Sequence, residues 1–136
     1  MSLMKYLIKV MKSYTDLEQS KKLATILPID SADMWWDWFG NPLDDVNDGE
    51  YSTEPLLHKP VSNPRNIIPC WSLAALLDIL PLLERKGYQK TKPQLFYIVH
   101  INKWIVDSHV YTTDAYDNPI DACVEMILKL KEKDLL

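Results

Sequence analysis

The pattern of apolar and polar positions predicts alternating helical and extended segments. Residues 4–14 fit two templates: Leu7, Val10, Met11 and Tyr14 would share a helical face, whereas Tyr6, Ile8 and Val10 would alternate along a strand. Thr15-Asp16-Leu17-Glu18 has the form of a capping box. It predicts a helix over about 16–27, with Leu23, Ile26 and Leu27 on one side and Pro28 as its stop. Residues 33–39 (Asp-Met-Trp-Trp-Asp-Trp-Phe) read as a strand with Met34, Trp36 and Trp38 on one face, ended by Gly40-Asn41-Pro42. Leu73, Leu76, Leu77 and Leu80 form one stripe of a helix over 70–80. Ser72, or a residue just before Pro69, would cap that helix, and Pro81 would end or kink it.

Gly87–Pro93 reads as a basic connector. Gln94–Ile101 and Trp104–Tyr111 read as a hairpin around Asn102-Lys103, which sets Ile101 opposite Trp104. Leu95, Tyr97, Val99, Ile101, Trp104, Val106 and Val110 then share an apolar face, with Ser108 as its polar exception. The opposite face is mixed: Phe96, Ile98, His100, Ile105, Asp107, His109 and Tyr111. The last helix opens with Asn118 as cap, Pro119 at the first position and Asp121 in the first turn. Its apolar stripe is Ile120, Cys123, Val124 and Ile127, extended by the stem of Lys131. The sum is an α+β fold: three helices packed on a small antiparallel sheet containing the hairpin at about 94–111, a single pair of layers. One domain spans 4–136, with a long irregular loop at about 40–68; Met1-Ser2-Leu3 reads as a vector-derived leader.

Composition leaves this picture intact. With 136 residues, 47% hydrophobic and 25% charged, the chain can bury a core of its own. Charge changes more. The net charge is −4, yet the stretch from Asp30 to Leu57 holds eight acidic residues and no Lys or Arg. That stretch carries −8 against a total of −4, which leaves the remainder at +4. This asymmetry argues for a locally acidic surface and gives little support to nucleic acid as partner, which needs clustered cations to release counterions from phosphates. No apolar run approaches the ~18 residues needed to cross a bilayer. Cys70 and Cys123 sit in apolar helical contexts and no signal peptide is evident, so both read as reduced thiols in a cytoplasmic protein.

Candidate chemistry is thin. His100 and His109 share the mixed hairpin face but stand about four residue steps apart, on the order of 13 Å, too far to share a zinc ion. Asp44-Asp45-Val46-Asn47-Asp48-Gly49 falls short of a calcium loop, because Val46 and Pro55 occupy ligand positions. Cys70 at the expected helix start would have its thiol pKa lowered by the dipole, but no histidine can be assigned beside it. Phosphate-loop, GxSxG, HExxH and CxxC patterns are all missing. The sequence therefore points to no catalytic residue, metal or cofactor. The unusual feature is the cluster Asp33, Trp35, Asp37 and Phe39, whose outward side chains can pack on the core, anchor a protein interface, or stack on a sugar or base.

Four stretches, Tyr14–Leu23, Ser31–Met34, Pro69–Leu77 and Asp117–Met126, resemble a group of small uncharacterised bacterial proteins from phage-derived and mobile-element regions of gut anaerobes. The resemblance covers the start, middle and end of the domain. It implies a mobile-element setting and no activity, and it supplies no catalytic residues. Most matching positions are caps and core stripes; Ser31-Ala32-Asp33-Met34 has no structural reason in the sequence alone. The expectation is a non-enzymatic interaction or accessory module with a protein partner. The alternative is a small enzyme or ligand-binding protein with a pocket between the hairpin and the 40–66 loop, using His58, His100, Asp107 and His109.

Overall fold

The computed structural model describes residues 12–39, 50–59 and 67–136. The alternatives for residues 4–11, the leader and the Asp44–Gly49 loop lie outside the described residues. Helix α1 spans Leu17–Ala24, and its box lies one residue later than the sequence suggests. Asp16 accepts from the Gln19 N–H at 2.8 Å, and Gln19 Oε1 accepts from the Asp16 N–H at 3.1 Å. Thr15 is not the cap because its hydroxyl is fully buried and accepts the Trp71 N–H at 3.1 Å. Leu23 and Leu27 are buried and Ile26 is half-buried, so the expected apolar side holds. After Pro28 the chain makes a single 3₁₀ turn, Ile29–Ser31.

Strand β1, Met34–Trp36, stops at Asp37, and a second short strand β2 follows at Trp38–Phe39. β2 pairs antiparallel with β3, Glu50–Tyr51, and β1 with β4, Ile68–Cys70. The expected irregular stretch thus contains one short strand, β3, and β4 begins where the stretch ends. Trp35 also exchanges both backbone bonds with Leu56, at 2.9 and 2.7 Å. Trp35 therefore turns its N–H and C=O away from β4, and Pro69 opposite it needs no donor. A proline at this register costs the ladder nothing. Cys70 consequently ends a strand instead of starting a helix.

Helix α2, Leu73–Ile79, is capped by Ser72, whose Oγ accepts the Ala75 N–H at 3.2 Å. Leu76 and Leu80 are buried, Leu73 and Leu77 half-buried, and Pro81 follows. Beyond it the supposed connector folds as a ribbon, β5 (Leu83–Arg85) against β6 (Tyr88–Thr91). Its loop is Lys86-Gly87, with Gly87 at φ +80, the left-handed setting that the second loop position of a type II turn demands. The ribbon is exposed apart from Leu83, so it carries no alternating apolar signal.

The hairpin is β7, Gln94–Ile98, against β8, Lys103–Asp107. Ile98 pairs with Lys103 and Leu95 with Val106, so the loop is Val99–Asn102 and the pairing is shifted by four residues from the two-residue loop. Asn102 absorbs the turn at φ 52. An even shift preserves the faces, so Leu95, Tyr97, Trp104 and Val106 still lie together. β8 ends early because Ser108–Tyr111 forms a turn, closed by Ser108 N–H to the Tyr111 carbonyl at 3.0 Å. The chain then returns along β8 through bridges at Thr112 and Tyr116.

Helix α3, Pro119–Glu132, starts as expected, with Asn118 Oδ1 accepting the Asp121 N–H at 2.9 Å. Ile120, Cys123, Met126, Ile127 and Leu130 are fully buried; Lys131 is exposed, and Leu130 takes the place expected for its stem. The core packs α3 against α2, β8, Leu23, Trp71 and Leu83. Each buried Leu, Ile or Met contributes roughly 1.5–3 kcal/mol gross. The fold is α+β, its antiparallel pairing divided into two-stranded ribbons. Among the described residues, no helix is long and apolar enough to cross a membrane.

Candidate interaction surface

The aromatic and acidic segment is tied into the fold where its side chains are described. Asp33 accepts the Ser72 N–H through Oδ1 at 2.9 Å and bonds the Ser72 hydroxyl through Oδ2. It thereby braces the cap of α2. Ser31 Oγ accepts from Trp71 Nε1 at 3.0 Å and donates to the Pro28 carbonyl at 2.5 Å, while Ala32 is nearly buried. Packing and capping thus account for Ser31–Asp33. Trp36 is buried against Tyr14, edge to face at 5.9 Å. Trp35 is half-buried, and its Nε1 is one of two buried side-chain donors without a partner among the described residues. Asp37 is half-buried; its N–H donates to Ser52 Oγ at 3.1 Å and its carbonyl accepts the Ser52 N–H at 2.7 Å. The side chain of Phe39 lies outside the described residues.

Beneath this segment runs a buried polar chain. Trp36 Nε1 donates to Ser20 Oγ at 3.0 Å, Ser20 Oγ meets Thr15 Oγ1 at 2.8 Å, and Thr15 Oγ1 accepts from the Trp71 amide. Cys70 Sγ lies against it, donating to the Thr15 carbonyl at 3.3 Å. Burial pushes the Cys70 thiol up, against the pull of its hydroxyl neighbours. Burial alone raises Cys123 to about 12. Neither is an activated nucleophile.

A second polar system lies between α1 and α3, beside an open groove of about 310 Å³. Glu125 accepts from Tyr116 Oη at 2.6 Å, Tyr111 Oη at 2.8 Å and the Asp114 amide at 3.2 Å. Partial burial raises its carboxyl, but these donors and Lys129 outweigh burial and hold it below the ordinary range. The same bonds keep both phenols protonated well above the usual tyrosine range. Asp121 is likewise raised by burial but lowered overall by Lys12, Asn118 and Gln19. Lys12 bridges Asp121 and Asp16, at 2.8 and 2.9 Å. These groups satisfy one another and anchor the 111–117 segment and α1 to α3.

The histidine set does not converge. His100 sits in the Val99–Asn102 loop, while Asp107 ends β8 at the hairpin base, where it bonds Thr112. Four residue steps of strand separate Lys103 beside that loop from Asp107, roughly 13 Å. His109 is exposed and bonds the Glu84 carbonyl at 2.8 Å; His58 is exposed on its own segment. Among the described residues, no three His, Cys, Asp or Glu side chains could hold a metal.

The hairpin is the feature that the apolar pattern misplaced. Its shared face is buried only at the base, where Val106 is fully covered. Toward the tip, Tyr97 is 45%, Val99 69% and Ile101 50% exposed, and on the opposite face Phe96 is 44% exposed. Along this face of β8, half-buried Trp104 and, two residues on, buried Val106 mark where the core ends. Sequence periodicity cannot show this, because it reports which side a residue faces and not how far the core extends. Comparison with protein-family models, curated proteins and solved structures finds no match to this chain.

Proposed function

We propose that the protein is a non-enzymatic interaction module that binds a protein partner, acting in the cytoplasm as an accessory of a phage or mobile element. The observation that carries the reading is the overhanging hairpin, whose aromatic and aliphatic side chains are exposed on both faces. The polar clusters elsewhere are mutually paired, and the two cysteines are free and buried, as suits a reducing compartment. The mobile-element setting rests on the sequence resemblance alone.

The experiment is affinity capture from a lysate of bacteria carrying the element, with wild type, Val99→Asp/Ile101→Asp and Phe39→Ala compared at equal thermal stability. A protein enriched by wild type and lost with the double variant supports the hairpin reading. Loss with Phe39→Ala instead moves the surface to residues 33–57, and identical profiles for all three contradict the module. The ligand-binding alternative is checked by thermal shift across metals and metabolites, since a ligand at 100 times its Kd adds ~2.7 kcal/mol.

A further inference from the structure

Among the described residues, the outer edge of β7 is open: no strand or bridge pairs with it. Trp104 gives its N–H and C=O to Tyr116, at 2.7 and 2.9 Å. Val106 donates to the Thr113 hydroxyl at 2.9 Å and accepts the Thr113 N–H at 3.0 Å. Both residues therefore turn their backbone away from β7. Their β7 partners, Tyr97 and Leu95, belong to the non-hydrogen-bonded pairs and direct their own N–H and C=O groups outward. Two donors and two acceptors, spaced two residues apart, form the template onto which another strand adds. β7 itself, Gln-Leu-Phe-Tyr-Ile, holds no charge or proline to repel one.

Charge selects among strands. The β5–β6 ribbon and the two residues that join it to β7 carry Arg85, Lys86, Lys90 and Lys92 against Glu84 alone, which pairs with Lys90 at 3.5 Å between exposed side chains, in a chain whose net charge is −4. No further Asp or Glu follows until Asp107. We infer, building on the interaction reading above, that the β7 edge takes up an extended, acidic segment of a partner protein by strand addition. Its alternate side chains would meet Phe96 and Tyr97, and its carboxylates the basic ribbon. A second copy of this chain fits less well. The four exposed side chains offer on the order of 400 Å² per copy, roughly 800 Å² in total, short of the ~1,200 Å² of a stable dimer. Single-stranded nucleic acid would use the cations and rings but not the outward amides.

The test uses the intact protein, a nine-residue peptide alternating Glu and Val, its Lys/Val counterpart, and a labelled oligothymidine. The readouts are fluorescence anisotropy and residue-resolved amide exchange. The acidic peptide is expected to bind at least tenfold tighter than the Lys counterpart and to slow exchange at Leu95 and Tyr97 at least tenfold. Its affinity should fall at least tenfold in Lys86→Glu/Lys90→Glu, a surface change that leaves the core untouched. Equal or tighter binding of the Lys peptide overturns the inference. So does no binding by the acidic peptide, oligothymidine binding without protection of those amides, or a free protein that sediments as a dimer with them protected. If lysate capture succeeds while the peptide test fails, the interaction module stands and the acidic strand falls; if capture profiles are identical, the module itself falls.

Discussion

Replacing Thr15 with Val tests the buried polar chain at one atom. Valine keeps the size and branching of threonine and removes the hydroxyl that accepts the Trp71 N–H at 3.1 Å and meets Ser20 Oγ at 2.8 Å. Thr15 and Ser20 are fully buried, so no water can replace the lost acceptor. An unsatisfied buried amide costs about 1–3 kcal/mol, and the Ser20 hydroxyl loses a partner as well, so the expected loss is about 2–3 kcal/mol. At this chain length 1 kcal/mol shifts Tm by roughly 3–5 °C, so Tm should fall by about 6–15 °C. Thr15→Ser supplies the contrast. It keeps the hydroxyl and removes a methyl, which costs about 1 kcal/mol. The assay is urea unfolding followed by tryptophan fluorescence, with the m-value checked for constancy. If valine proves neutral, or costs less than serine, the hydroxyl is not holding β4 to the start of α1 as described.

Other consequences are direct. Glu125 and Asp121 have folded values below their ordinary 4.5 and 3.8, so their contribution is complete above those values and is lost as pH falls through the depressed ones. Glu125→Gln should therefore flatten the acid limb of a stability–pH curve, read by urea midpoints from pH 6 down to pH 2. Tyr116 is shifted upward, so its ultraviolet phenolate titration should stay silent as pH passes the ordinary 10.0, and Tyr116→Phe should leave that region of the titration unchanged. Cys70 and Cys123 are both fully buried, so a thiol reagent should find neither in the native protein and both after denaturation.

What the sequence revealed depended on whether its signals were local. Asn118 and Pro119 fix the start of α3 through the chain's own amides, and the leucines of α2 repeat with the helical period, so both were legible. The hairpin faces survived a wrong loop length because the register error was even. The capping box slipped by one because Thr15 and Asp16 are both competent caps, and the choice was made by Trp71, distant in sequence. β4 was hidden by Pro69, harmless only because Trp35 turns its backbone toward Leu56. The β5–β6 ribbon has little core face and so no alternation to read. Asp33 was singled out for interaction yet braces Ser72, a contact spanning 39 residues. The exposed hairpin tip depends on where helix packing stops, which no pattern within the strand encodes.

The open β7 edge can be tested on the free protein by residue-resolved amide exchange along the hairpin. Leu95 and Tyr97 should exchange at nearly the rate of an unstructured chain, while Phe96, bonded to Ile105 across the ladder, exchanges far more slowly. Protection of Leu95 and Tyr97 equal to that of Phe96 would mean the edge is already covered, and would contradict the account.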